Sequence, residues 1–163
     1  MIAVLISIRP KWCEKIISGE KTIEVRKTRP KMNPPFKCYI YRSVQGGVIG
    51  EFVCDKFFER IVRVGAICEP PKYCICDWNM DCTPLDTLLA DACLTKDELE
   101  KYLDGGVGFG WHISNLRIYD TPRKLREFYA VPNEVEVALK AKPKPITRPP
   151  QSWRYVEEET WND

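Results

Sequence analysis

Lys21, Glu24 and Arg26 place an ammonium, a carboxylate and a guanidinium within six residues, directly after Gly19. A lysine desolvated in a pocket can serve as base or nucleophile; beside a carboxylate it stays charged and donates hydrogen bonds. Glu24 can accept from the exocyclic amine of a nucleobase, and Arg26 can hold either Glu24 or a phosphate. The plainer use of the three is a strand-face ion pair of small energetic consequence.

These residues fall where a short helix gives way to a strand. Ile2 to Ile8 is a continuous apolar run rich in β-branched side chains, as expected of a central strand buried on both faces. Pro10 opens a helix to about Ile17, with Trp12, Cys13, Ile16 and Ile17 on its apolar face and Gly19 as the left-handed stop. Thr22 to Arg26 reads as the next strand, turning Ile23 and Val25 to the core and Glu24 and Arg26 to the opposite face. Lys21 has the core parity, so it joins Glu24 only if the turn or a bulge swings it round.

Further along, Lys27 to Pro35 reads as a basic, proline-rich loop, and Phe36 to Arg42 as a strand. Gln45-Gly46-Gly47 turns into a strand from Val48 to Phe58, in which Gly50 marks a bulge. Cys68 to Cys82 reads as a loop and Pro84 to Ala92 as a helix. Thr95-Lys96-Asp97-Glu98 has the form of a capping box opening a helix to about Leu103. Val107 to Tyr119 returns to strand, with Trp111, Ile113, Leu116 and Ile118 inward, and Thr121-Pro122 caps a short helix to Phe128. Residues 141–150 are an extended proline-rich crossing, and Trp153 and Tyr155 alternate in a closing strand. Short strands and turns in this succession favour an α+β fold built on a barrel or strongly curved sheet.

Gly19, Lys21, Glu24 and Arg26 form the pattern Gly-x-Lys-x-x-Glu-x-Arg, which resembles the signature of the ASCH domain family among the PUA-like β-barrels. The lead-in Ser7-Ile8-Arg9-Pro10, the run Ile16-Ile17-Ser18-Gly19 and the strand Val48-Ile49-Gly50-Glu51-Phe52 extend the resemblance. It implies one PUA-like mixed β-barrel domain over 1–163 with flanking short helices, a variable insertion at about 66–106 and an extended C-terminal segment, 140–163. It also implies a cleft beside the motif that takes RNA, a nucleotide or a modified nucleoside. Some small ASCH relatives resemble N4-acetylcytidine amidohydrolases using a lysine, a threonine and a glutamate. By position the lysine is Lys21, the threonine's place holds Glu24, and Asp91 lies nearest the acid. A hydrolase, whether amidohydrolase or ribonuclease, with Lys21 and Glu24 reacting is therefore the alternative to binding.

The uneven distribution of charge suits either a phosphate-bearing ligand or a solvated face. Ten basic residues oppose three acidic ones between Arg9 and Arg42, a net +7, while Asp77 to Asp104 carries a net −6. The basic loop around Lys27, Arg29 and Lys31 would guide phosphates, Arg9 is a further ligand-binding candidate, and Trp12, Trp111, Trp153 or Tyr155 could stack on a base. Arg148 and Gln151 flank the last tryptophan. The acidic segment is also a candidate surface for a protein partner. Cys68, Cys74, Cys76 and Cys82 invite a zinc reading, but Cys-x-Cys is a strained bite on one ion, and no metal or other cofactor is expected. The apolar start is too short for a secretory signal and no run could span a bilayer, so the eight cysteines are expected to be cytoplasmic thiols.

Overall fold

A computed structural model describes residues 1–64, 72–76, 82–83 and 85–158, with backbone alone at 58–60, 62–64, 72–76 and 82–83. In chain order the elements are β1 (Ile2–Ile8), α1 (Pro10–Ile17), β2 (Ile23–Arg26), β3 (Phe36–Arg42), β4 (Val48–Cys54), β5 (Phe57–Val64), β6 (Lys72–Cys76) and β7 (Cys82–Thr83). Then follow α2 (Asp86–Asp91), α3 (Lys96–Leu103), β8 (Gly108–His112), β9 (Ser114–Arg123), a 3-10 turn (Leu125–Glu127), α4 (Glu134–Ala138) and β10 (Trp153–Glu157). This mixed α+β chain divides into two compact units, Met1–Glu14 with Phe36–Val53 and Asn115–Asp163, and Lys15–Pro35 with Cys54–Ser114.

The first unit holds a five-stranded sheet in the order β10-β1-β3-β4-β9. β1 lies parallel to β3 and antiparallel to β10, and its side chains from Ala3 to Ile6 are fully buried. That central position explains an apolar run without alternation. Ala3, Leu5, Tyr39, Val48, Phe128, Ile146 and Val156 form its core. Gly50 permits close approach of β9: a Cβ there would meet the Arg117 carbonyl oxygen at 2.4 Å.

The second unit holds another five-stranded sheet, β2-β8-β5-β6-β7. Its core gathers Ile23, Val25 and Ile61 from the strands with Leu85, Leu88, Ala92, Leu99 and Leu103 from the helical region. The capping box opens α3 as its sequence predicts: the Glu98 amide donates to Thr95 Oγ1 and the Thr95 amide to Glu98 Oε2.

Several elements depart from the sequence reading. The strand expected over 48–58 is two strands in different sheets, separated by exposed Asp55 and Lys56. The expected loop from Cys68 to Cys82 contains β6 and the start of β7, paired to each other and, through β6, to β5. Strand continues through Thr121 and Pro122 to Arg123, leaving a single 3-10 turn in place of the expected helix; the strand stands at the end of its sheet, where proline is tolerated. Ile17 and Ile118 are exposed, not inward. Among the described residues, no helix is long and apolar enough to cross a membrane.

Candidate functional site

β2 pairs antiparallel with β8 in the register Ile23↔His112, Glu24↔Trp111, Val25↔Gly110 and Arg26↔Phe109. Directly opposed residues share a face, so Glu24, Arg26, Phe109 and Trp111 stand together while Ile23 and Val25 enter the helical core. Both faces of β2 are buried, Glu24 and Arg26 included. This is more enclosed than a half-exposed strand face.

The turn before β2 delivers Lys21. Gly19 takes φ +78°, the Lys21 amide donates to the Lys15 carbonyl at 2.9 Å, and the Thr22 amide donates to the Asp91 carbonyl at 2.8 Å. So anchored, the Lys21 side chain overcomes its parity. Its Nζ lies 3.3 Å from Glu24 Oε2 and donates to the Ala92 carbonyl at 2.7 Å. Arg26 Nη2 meets the other carboxylate oxygen, Glu24 Oε1, at 2.9 Å. Lys21 is 2 % exposed, so this is a buried ionic cluster and not the solvent-screened pair of the plainer reading.

Each Glu24 oxygen therefore faces one cation and retains lone-pair capacity for a further donor. An arrangement of this kind fixes two positive groups in place before any ligand arrives. It also ties both carboxylate oxygens of Glu24 to neighbouring cations.

A rim of basic side chains resting on aromatic rings accompanies the cluster. The Lys27 ammonium lies 5.4 Å from the Tyr102 ring centre, and the exposed Arg29 guanidinium lies 5.3 Å from that of Phe57 and 5.7 Å from that of Phe109. Phe57 in turn meets Trp111 edge-on at 5.8 Å. Burial raises the Tyr102 phenol above its ordinary pKa; the Arg26 charge opposes this and the Glu24 charge adds to it, which places Tyr102 within electrostatic reach of the cluster. Tyr102, Phe57 and Phe109 escaped the sequence reading. A tyrosine on the amphipathic α3 segment was the available signal for the first; the other two depend on strand pairing.

The remaining sequence candidates divide clearly. Asp91 stands beside the motif and serves it through its carbonyl. Trp111 is fully buried and packs as core, while Arg9, Trp12 and Trp153 belong to the first unit. There, Arg9 is exposed, Lys11 covers the Trp12 ring at 4.3 Å, and Trp153 packs edge-on against Tyr155 at 5.4 Å. Arg148 and Gln151 are exposed. Of the zinc candidates, Cys68 lies outside the described residues, and Cys74, Cys76 and Cys82 are strand backbone in β6 and β7. Among the described residues no cluster of three or more His, Cys, Asp or Glu side chains could hold a metal.

A second pairing went unforeseen. His112 Nδ1 lies 2.6 Å from Asp55 Oδ1. Burial works against the Asp55 charge, but the hydrogen bond and charge of His112 outweigh it and hold the carboxyl below its ordinary pKa. Next to it, burial foremost and then the Asp55 charge push the Cys54 thiol up to about 12.

Residues 6–63 match the family model of the ASCH domain, which bears out the resemblance carried by Gly19, Lys21, Glu24 and Arg26. Among solved structures, the chain is similar to the crystal structure of ASCH from Zymomonas mobilis, with 17% identity, a TM-score of 0.60, and coverage of 96% of this chain and 88% of that one. A tyrosine-to-phenylalanine mutant of that protein matches with a TM-score of 0.59 and a serine-to-alanine mutant with 0.60, each at 17% identity over 96% of this chain and 91% and 89% of theirs. At this identity the likeness establishes the fold. No curated protein matches the sequence.

Proposed function

We propose that this chain is a cytoplasmic ASCH-domain protein that binds RNA, a nucleotide or a modified nucleoside through the face built on Lys21, Glu24 and Arg26. The observation that carries this reading is the buried carboxylate holding one cation on each oxygen, beside exposed Lys27 and Arg29 resting on aromatic rings. Cations fixed in a low-dielectric setting attract phosphate without reorganising, and rings beside them offer stacking partners to a base. The PUA-like barrel, with a cleft at the motif, is the architecture this reading adopts. The ASCH family's usual link to RNA agrees with it.

Binding is preferred over hydrolysis because Glu24 is engaged by two cations and stands where the amidohydrolase relatives carry a threonine. A panel of short single-stranded RNAs, nucleotides and nucleosides, N4-acetylcytidine included, tests both. The expected result is binding that Lys27→Ala with Arg29→Ala weakens about tenfold or more, corresponding to about 1.4 kcal/mol. Turnover abolished by Glu24→Gln would replace the binding reading with the enzymatic one.

A further inference from the structure

The register of the second sheet brings together two cysteines that the candidate site does not use. β6 and β7 pair antiparallel, with Ile75 opposite Thr83 and Cys76 opposite Cys82. The last residue of β6 thus stands across from the first residue of β7, on the outermost ladder of the sheet. Directly opposed residues of an antiparallel pair share one face and have Cα atoms about 4.5–5.5 Å apart. A disulfide requires a Cα separation of about 4.4–6.8 Å, so an opposed pair meets it in either hydrogen-bonding phase.

The same register sets the neighbouring cysteine apart. Cys74 is opposite Val62 of β5 and lies two residues before Cys76 on β6. Two residues of strand rise span about 6.6–6.8 Å, the upper limit for a bridge, and the diagonal from Cys74 to Cys82 spans about 7–8 Å, beyond it. Spacing in sequence does not choose among the pairings of these cysteines; the strand register does. Cys13, Cys38 and Cys54 are buried, and the Cys13 thiol donates to the Ile8 carbonyl at 3.6 Å. Thiols enclosed in this way are poor nucleophiles toward dissolved oxidants.

We propose that Cys76 and Cys82 are a reversible redox pair, a dithiol that closes to a cross-strand disulfide by exchange with glutathione disulfide. One cysteine thiolate attacks a glutathione sulfur, breaking the glutathione S–S bond and releasing one glutathione. The other then attacks the mixed disulfide, forming the Cys76–Cys82 bond and releasing the second glutathione. The two thiol protons end on the two glutathiones, and the two electrons lost by the chain reduce the glutathione disulfide. β7 is two residues long and joins β6 through the two pairings given above, so a covalent link at one of them fixes a strand that the ladder holds over a short stretch. Where glutathione keeps thiols reduced, such a link is transient, which suits redox sensing. The inference is independent of the reading of the Lys21 cluster.

The test is peptide mapping by mass spectrometry of the full chain, first reduced, then equilibrated with excess glutathione disulfide and alkylated without reduction. The expected result is a chain lighter by two hydrogens whose linked peptides join Cys76 to Cys82, and recovery of both thiols on return to excess glutathione. Cys76→Ser and Cys82→Ser should each lose the linked peptide and retain glutathione on the remaining member of the pair, while Cys74→Ser should keep the link. A main link from Cys74 to either cysteine would overturn the proposal, as would loss of the link in Cys74→Ser. So would the absence of any link within the wild-type chain, or stoichiometric zinc held by the reduced chain and blocking oxidation.

Discussion

Glu24 is the residue on which the candidate site depends. Removing one partner from a buried, hydrogen-bonded charge cluster leaves the others uncompensated, at a typical cost of about 3–5 kcal/mol. Glu24→Ala should therefore lower the unfolding free energy by about that amount in urea denaturation. The same experiment on Glu20→Ala, which breaks the exposed, solvent-screened Lys15–Glu20 ion pair, should register little or no loss. A loss at Glu24 no larger than that at Glu20 would mean the cluster is screened by solvent. Cys54 supplies a pH signature. Burial pushes its thiol up to about 12 in the folded chain, from an ordinary value of 9.0. The unfolded chain thus gives up its proton first, so stability from this group is complete below pH 9 and declines as pH rises toward 12. Cys54→Ala should flatten the stability profile over that window when unfolding is followed at several alkaline pH values.

At the scale of elements, β4 and β9 set the tightest steric demand. Gly50→Ala would drive a methyl group into the Arg117 carbonyl, backbone against backbone, and overpacking of this kind costs about 1–3 kcal/mol. A thermal melt should show the loss; an unchanged midpoint would mean the strands can separate to admit the methyl. Local signals made many elements legible beforehand: the apolar run of β1, Pro10 and Gly19 bounding the α1 segment, the alternation in β2 and the Thr95–Glu98 box. What remained hidden had non-local causes. The break at Asp55 and Lys56 arises because β4 and β5 join different sheets, and a single aspartate inside an apolar run is a weak turn signal. Helix α4 was missed although Asn133 and Glu136 form a capping box, because the following prolines dominated that region. Lys21 reached Glu24 through backbone bonds to Lys15 and Asp91, the second spanning a separation that periodicity cannot see.

For the molecule as a whole, a formal net charge of +2 conceals a net +7 along the sequence from Arg9 to Arg42. Long-range attraction of a polyanion depends on that concentration and falls with ionic strength. The charge distribution alone fits a solvated basic face as well as a phosphate site, and only the three-dimensional arrangement distinguishes a buried, carboxylate-held pair of cations from such a face. The most direct measurement is the affinity for a short single-stranded RNA as a function of salt, for the wild-type chain and for Lys27→Ala with Arg29→Ala. The predicted result is a linear fall of log affinity with log salt, its slope reduced in the variant by about 0.7 for each phosphate that is no longer neutralised. A slope identical in both proteins, or affinity independent of salt, would contradict a phosphate-binding role for this face.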